Sequence, residues 1–247
     1  MTGKNRLIMM PIKKDHLINS IYRATEGEWV SLGRPQIFVR YQGCAIGCLN
    51  CDSKDTWDFS QDMGINLESV ISKVHSEGFD GRIKNVSITG GDPLHPSHVP
   101  HVLALVKALK EKNYYINIEA AGSRVVDEIF DLVDYISFDF KTPSTGVKTP
   151  LKNIQKMIGQ YQSKFQIKAV ISDRTDFEAT LEAYKSLEKT ETSLNFPWVL
   201  TPCYNTEEEF PMSRFMNVLS WNEEAGGVFR VIGQQHKWVW GPDQKQV

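Results

Sequence analysis

Helical and strand-like apolar patterns alternate along most of this 247-residue chain, and that alternation restricts its possible folds more than any other feature. Leu67, Val70, Ile71 and Val74 fall on one helical face behind Asn66, a capping candidate, and Gly78 is placed to close the helix. Residues 84–88 then read as a strand. Val102, Leu105, Val106 and Leu109 mark a second helix followed by a strand over 114–118, and a third unit runs through 125–132 into a strand over 135–140. The order repeats as helix 154–161 and strand 165–171, helix 177–187 and strand 197–200, helix 210–221 and strand 228–232. Strands separated by helices run parallel, because each helix carries the chain back to the edge where the next strand starts. About six such strands fall short of the eight that close a full barrel. The sequence therefore predicts an α/β fold, a partial, open-sided (β/α) barrel of about six parallel strands with its chemistry at the C-terminal strand ends.

Composition agrees with one such domain spanning 1–247. With 41% hydrophobic residues the chain can bury one substantial core. Its formal net charge is −2 and no basic block appears, which argues against a nucleic-acid surface and leaves a small-molecule substrate. The early apolar run Leu7-Ile8-Met9-Met10 stops at Pro11, too short for a signal peptide, and nothing later approaches a membrane span. A cytoplasmic, reducing setting is expected from these features and from the use of only four cysteines.

Three of those cysteines lie in Cys44-Ala45-Ile46-Gly47-Cys48-Leu49-Asn50-Cys51, directly after the apolar stretch Ile37-Phe38-Val39 and its continuation. Three thiolates on one short loop can hold three irons of a 4Fe–4S cube, and no fourth cysteine lies nearby for the last iron. An open iron is a place for a ligand from outside the protein. Zinc would want four ligands, and the nearest histidine in sequence, His75, sits inside a predicted helix. Three closely spaced cysteines and a distant Cys203 make no disulfide framework, and Cys203 reads as an ordinary partly buried thiol.

The C-x3-C-x2-C run resembles that of the radical S-adenosylmethionine (SAM) enzymes, where the methionine end of SAM chelates the open iron. A second segment, Ile88-Thr89-Gly90-Gly91-Asp92-Pro93, follows a predicted strand. By itself it reads equally as a glycine turn followed by a helix-capping Asp92 or as a place where backbone approaches a ligand. Beside the cysteine run it resembles the Gly-Gly-Glu-Pro element that binds the SAM amino group. Further segments narrow the family: Ala24-Thr25-Glu26-Gly27-Glu28, Arg40 four residues before Cys44, Cys51-Asp52-Ser53, and Gln234-Gln235-His236-Lys237. Together these resemble the 7-carboxy-7-deazaguanine synthases. Departures are Glu26 for glutamine, Asp92 for glutamate, the alanines of Glu119-Ala120-Ala121-Gly122-Ser123, and Asp139-Phe140-Lys141 where Ser-Pro-Lys is common.

The resemblance implies a radical SAM lyase that converts 6-carboxy-5,6,7,8-tetrahydropterin to 7-carboxy-7-deazaguanine with loss of ammonia, on the route to queuosine and related 7-deazapurines. It implies Cys44, Cys48 and Cys51 as ligands of a 4Fe–4S cluster and Ser53 as a magnesium ligand. SAM would lie against Gly90, Gly91, Asp92, Glu119, Asp139 and Lys141. The pterin would meet Glu26, Gly27, Glu28, Arg40, Gln234, His236 and Lys237. No catalytic side chain is assigned beyond the cluster-bound SAM. A flat substrate with a carboxylate and an amino-pyrimidine edge suits such a set, since Arg40 and Lys237 offer positive charge and Glu28 an acceptor. The same resemblance implies a flavodoxin- or ferredoxin-like electron donor and a homodimer. A glycyl-radical-enzyme activase would share the open cluster, and a non-enzymatic iron–sulfur or zinc-binding module is the other alternative.

Overall fold

The structure, a computed structural model, describes residues 15–191, 193–206 and 208–247, so the apolar run at Leu7 to Met10 lies outside the described residues. The chain opens with a β-hairpin, β1 (His16–Thr25) and β2 (Pro35–Tyr41), and after the cysteine loop adds a short strand β3 (Gly64–Ile65). Helices and strands then alternate: α1 (Leu67–Glu77), β4 (Asn85–Gly90), α2 (Val99–Glu111), β5 (Tyr115–Ala120), the single turn α3 (Asp127–Phe130) and β6 (Tyr135–Asp139). The second half contributes α4 (Leu151–Tyr161), β7 (Phe165–Ile171), α5 (Arg174–Thr190), β8 (Trp198–Pro202), α6 (Met212–Glu224), β9 (Arg230–Val231) and α7 (Gln235–Trp240). As the sequence predicts, Asn66 caps α1 by accepting the Ser69 amide at 2.8 Å, and Gly78 ends it.

The nine strands among the described residues form one sheet in the order β3-β1-β2-β4-β5-β6-β7-β8-β9. From β2 onward every pairing is parallel, whereas β1 pairs antiparallel with both β2 and β3. The open, partial (β/α) barrel expected from the alternation is present, with β2 as a further parallel strand and the β1–β3 edge as an antiparallel addition. That edge escapes sequence reading because β1 is mostly half-buried and carries little apolar alternation. No helix among the described residues is long and apolar enough to cross a membrane.

The central strands β4 to β7 alternate outward apolar residues with inward polar ones. Ile37 and Val39, Val86 and Ile88, Ile116 and Ile118, Ile136 and Phe138, and Ile167 and Ala169 are buried in a single core with Val70, Val74, Val102, Leu105, Leu109, Ile154 and Met157 from the covering helices. The intervening positions bond to one another inside the barrel. Asn117 donates to Ser87 Oγ at 2.8 Å, Ser87 to Glu119 Oε1 at 3.0 Å, Thr89 to Glu119 Oε2 at 2.6 Å, and Gln166 to Ser137 Oγ at 3.1 Å. The β1–β2 loop turns into this lumen: Trp29 stacks on Tyr135, and the Val30 amide donates to Gln166 Oε1 at 3.1 Å. Glu28 is thereby carried to the middle of the barrel.

Candidate active site

The cysteine loop sits at the C-terminal end of β2 and is pinned from below. Buried Gln42 donates through Nε2 to the Asp55 and Asp58 carbonyls at 3.2 and 2.7 Å and accepts from Asn19, while the Gly43 and Cys44 amides donate to the Thr56 and Trp57 carbonyls. Gly43 and Gly47 have φ of 112° and 76°, in the region that favours glycine, so the loop can turn tightly between its thiols. Cys44, Cys48 and Cys51 are free and half-buried. Amides already point at two of the sulfurs, Ile46 N to Cys44 Sγ and Ser53 N to Cys51 Sγ, both at 3.4 Å. The three thiols are close enough to influence one another's charge, and Lys141 and Asp139 act on Cys48.

No three His, Cys, Asp or Glu side chains among the described residues are gathered tightly enough to hold one metal ion. A cube instead spreads its thiolates over separate irons, and three free thiols with amides aimed at sulfur fit that donor set. Cys203, buried and bonded through Sγ to Asn205 Oδ1 at 3.1 Å, lies after β8.

Beside the loop lies the glycine turn that ends β4. The Gly91 amide donates to the Tyr41 carbonyl at 3.0 Å and the Asp92 amide to the Gly43 carbonyl at 2.9 Å. A side-chain carbon on Gly91 would stand 2.3 Å from Gly43 O, so only glycine lets the two loops touch. The Asp92 carboxylate does not face the open mouth: it is buried, accepts the Leu94 amide at 3.1 Å, and pairs with Arg124 at 2.8 Å. Arg124 also donates to the Leu94 carbonyl at 2.9 Å. Asp92 therefore braces the turn from within and caps no helix, since α2 begins only at Val99 behind His98. Arg124, which staples the turn, carries no sequence signal.

The remaining residues assigned to SAM line the ends of the next strands. Glu119 receives the hydroxyls of Ser87 and Thr89, and Asp139 Oδ2 accepts from Lys141 Nζ at 2.7 Å. Gly122, with φ of 78°, packs against the Asp139 carbonyl and keeps this rim narrow.

Residues assigned to the pterin come from both ends of the chain. Glu28 Oε1 accepts from Gln234 Nε2 at 3.0 Å and lies 3.7 Å from His236 Nε2, while Oε2 accepts from Lys168 Nζ at 2.9 Å. Burial would raise the Glu28 carboxyl's pKa, but Lys168, then His236 and Gln234, hold it well below the usual carboxylate range. Gly27 makes room for this junction: its carbonyl accepts the Gln235 amide at 2.9 Å, and a side-chain carbon there would stand 2.5 Å from His236 Nδ1.

Arg40 donates to Tyr22 Oη at 3.2 Å and Ser53 Oγ at 3.4 Å. It shares one electrostatic neighbourhood with Glu119, Asp52 and Tyr22, and Asp52 in turn feels Glu28 and Lys237. Ser53 Oγ also donates to Asp52 Oδ1 at 3.0 Å.

Two of the assigned residues turn inward. Glu26 is buried, accepts the Glu28 amide at 3.0 Å and receives Gln36 Nε2, and burial together with Glu119 pushes its pKa up to about 7. Lys237 donates to the Tyr204 carbonyl at 2.8 Å and stands 3.7 Å from Asp52. Sequence reasoning missed Lys168 and Tyr22; the only signal was a polar residue at alternate positions of an otherwise apolar strand, as in Gln166 and Lys168 of β7.

A family model for a 4Fe–4S single cluster domain matches residues 32–130, the stretch that places the three-cysteine loop beside the glycine turn at the mouth of the open parallel barrel. The 7-carboxy-7-deazaguanine synthase of Pyrobaculum aerophilum is 26% identical over 90% of this chain and 93% of its own. The crystal structure of QueE from Escherichia coli superposes with a TM-score of 0.68 at 20% identity, covering 90% of this chain and 95% of that one. SuiB of Streptococcus suis, solved bound to S-adenosylmethionine, shares the fold with a TM-score of 0.51 at 13% identity over 78% of this chain and 45% of its own. Over most of its length the chain is thus similar to 7-carboxy-7-deazaguanine synthases.

Proposed function

We propose that this chain binds 6-carboxy-5,6,7,8-tetrahydropterin and converts it to 7-carboxy-7-deazaguanine with loss of ammonia, as a radical SAM lyase of 7-deazapurine biosynthesis. The observation that carries the reading is the junction of Gly27, Glu28, Gln234 and His236, which brings residues from the first and last parts of the chain to the same mouth as the cysteine loop. Cys44, Cys48 and Cys51 would hold the cluster, and bound SAM would supply the radical that takes a hydrogen from C6 of the substrate and returns it. Gly90 and Gly91 offer backbone to SAM. Glu119, Asp139 and Lys141 supply charge beside it, with Asp92 acting from behind by shaping the turn.

On the substrate side Glu28 accepts from the amino-pyrimidine edge and Arg40 pairs with the carboxylate. Gln234 and His236 orient Glu28, Glu26 braces the loop that presents it, and Lys237 holds the C-terminal segment against the mouth. Magnesium is proposed at Ser53 Oγ, completed by waters and the substrate's oxygens as this hard ion prefers. We further propose a flavodoxin- or ferredoxin-like donor, a cytoplasmic setting, and a homodimer that covers the exposed Met212, Met216 and Leu219 of α6.

Anaerobic incubation with SAM, a low-potential reductant and the carboxypterin, read by mass spectrometry, tests the function. Formation of 7-carboxy-7-deazaguanine with SAM not consumed in proportion is expected. Reductive SAM cleavage with the pterin untouched would remove this substrate.

A further inference from the structure

The lumen of the barrel changes character with depth. At the lower level β6 and β7 face each other through neutral groups, Gln166 Nε2 donating to Ser137 Oγ at 3.1 Å, and this satisfies the polar atoms there. One pleat higher the same two strands carry Asp139 and Lys168, paired in register. Lys168 Nζ lies 2.9 Å from Glu28 Oε2 and 3.8 Å from Asp139 Oδ1, and Asp139 Oδ2 takes Lys141 Nζ at 2.7 Å. Four side chains thus alternate in sign, Glu28, Lys168, Asp139, Lys141, from the pterin junction to the SAM rim. The Lys168 side chain is only 13% exposed. Holding an ammonium in such a place costs desolvation that neutral pairing below avoids, so its geometry has to be matched to its partners.

We infer that Lys168 is a positioning residue for the reaction: its ammonium fixes the Glu28 carboxylate as the pterin acceptor and ties it to the strand end that faces SAM. This rests on the function proposed above. With Lys168 on one oxygen and Gln234 on the other, the Glu28 carboxylate is held from two sides and cannot rotate away. Without the ammonium, Glu28 and Asp139 become neighbouring carboxylates with no charge between them. Asp139 keeps Lys141 at 2.7 Å, so it is Glu28 that takes a proton or swings out and loses its acceptor role or its aim.

The test is equilibrium binding of 6-carboxypterin, an oxidised analogue, and of SAM to the anaerobically reconstituted protein. Lys168→Met should weaken carboxypterin binding roughly ten- to hundredfold, as expected for losing a hydrogen bond to a charged group, with SAM affinity and iron content unchanged. Lys168→Arg should restore most of it. In turnover, KM for the carboxytetrahydropterin should rise more than kcat falls. If Lys168 acts through Glu28, adding Lys168→Met to Glu28→Gln should cost little beyond Glu28→Gln alone.

Wild-type carboxypterin affinity in Lys168→Met, equal losses for both ligands, or additive losses in the double variant would each overturn the inference. Should Lys168→Met prove too unstable to titrate, Lys168→Gln takes its place under the same criteria. A wild-type protein that neither binds nor turns over the carboxypterin would instead overturn the proposed function, and this inference with it.

Discussion

His16 sits at the back of the glycine turn, where burial governs its charge. Its Nδ1 lies 2.9 Å from Tyr41 Oη and its ring is 5.1 Å from that of His101. Burial, with His101 adding to it, lowers its pKa from 6.5 to about 4. The unfolded chain therefore protonates His16 below 6.5, whereas the folded one resists until about 4. The stabilisation is fully present above the unfolded value and is lost as pH falls toward the folded one, a total of roughly 3 kcal/mol. His16→Gln should flatten this part of the acid sensitivity, so its urea midpoint should fall less than that of wild type between neutral pH and about pH 5. An equal fall would mean that His16 titrates normally. Arg40 offers a second expectation at this scale. Arg40→Ala should weaken carboxypterin binding by about one to two decades while SAM binds as before, read by parallel titrations of the two ligands.

Among the elements, β2 and β4 matter most, because each ends in a loop that the other supports. Gly91→Ala would drive a carbon into the Gly43 carbonyl, a backbone group that can yield only by moving the cysteine loop. The variant should fold, keep its helical circular dichroism, and lose both iron on reconstitution and SAM affinity. Normal iron content would show that the loop has slack. Cys203→Ala, after β8, should by contrast retain about four irons per chain, since the proposed site completes its cluster with three other cysteines and SAM. Much of this level is legible from sequence. The turn residues and the strand ends are local patterns, and the capping of α1 by Asn66 follows from the same kind of reading. The hairpin strand β1 is not legible, because a half-buried antiparallel edge needs no run of apolar residues.

For the molecule as a whole, the C-terminal segment closes what the β1–β2 loop opens. The Gln235 amide binds the Gly27 carbonyl, and Lys237 bridges the Tyr204 carbonyl and Asp52. Lys237→Ala leaves a buried carbonyl without its charged donor and should cost about 1.5–3 kcal/mol in chemical denaturation. A change near zero would mean that the segment is held by other contacts. The order of helices and strands from α1 to β9, the cysteine loop and the glycine turn were all present in the sequence, since hydrophobic period and residue spacing report burial and turning along a local stretch of chain. Which charges meet was decided by barrel closure. Glu28 and Lys168 are 140 residues apart, Glu28 and Gln234 are 206 apart, and Arg124 reaches Asp92 from the next strand's loop. No local pattern records these pairs, because a carboxylate and an ammonium become partners only when strands distant in sequence are brought side by side around one lumen.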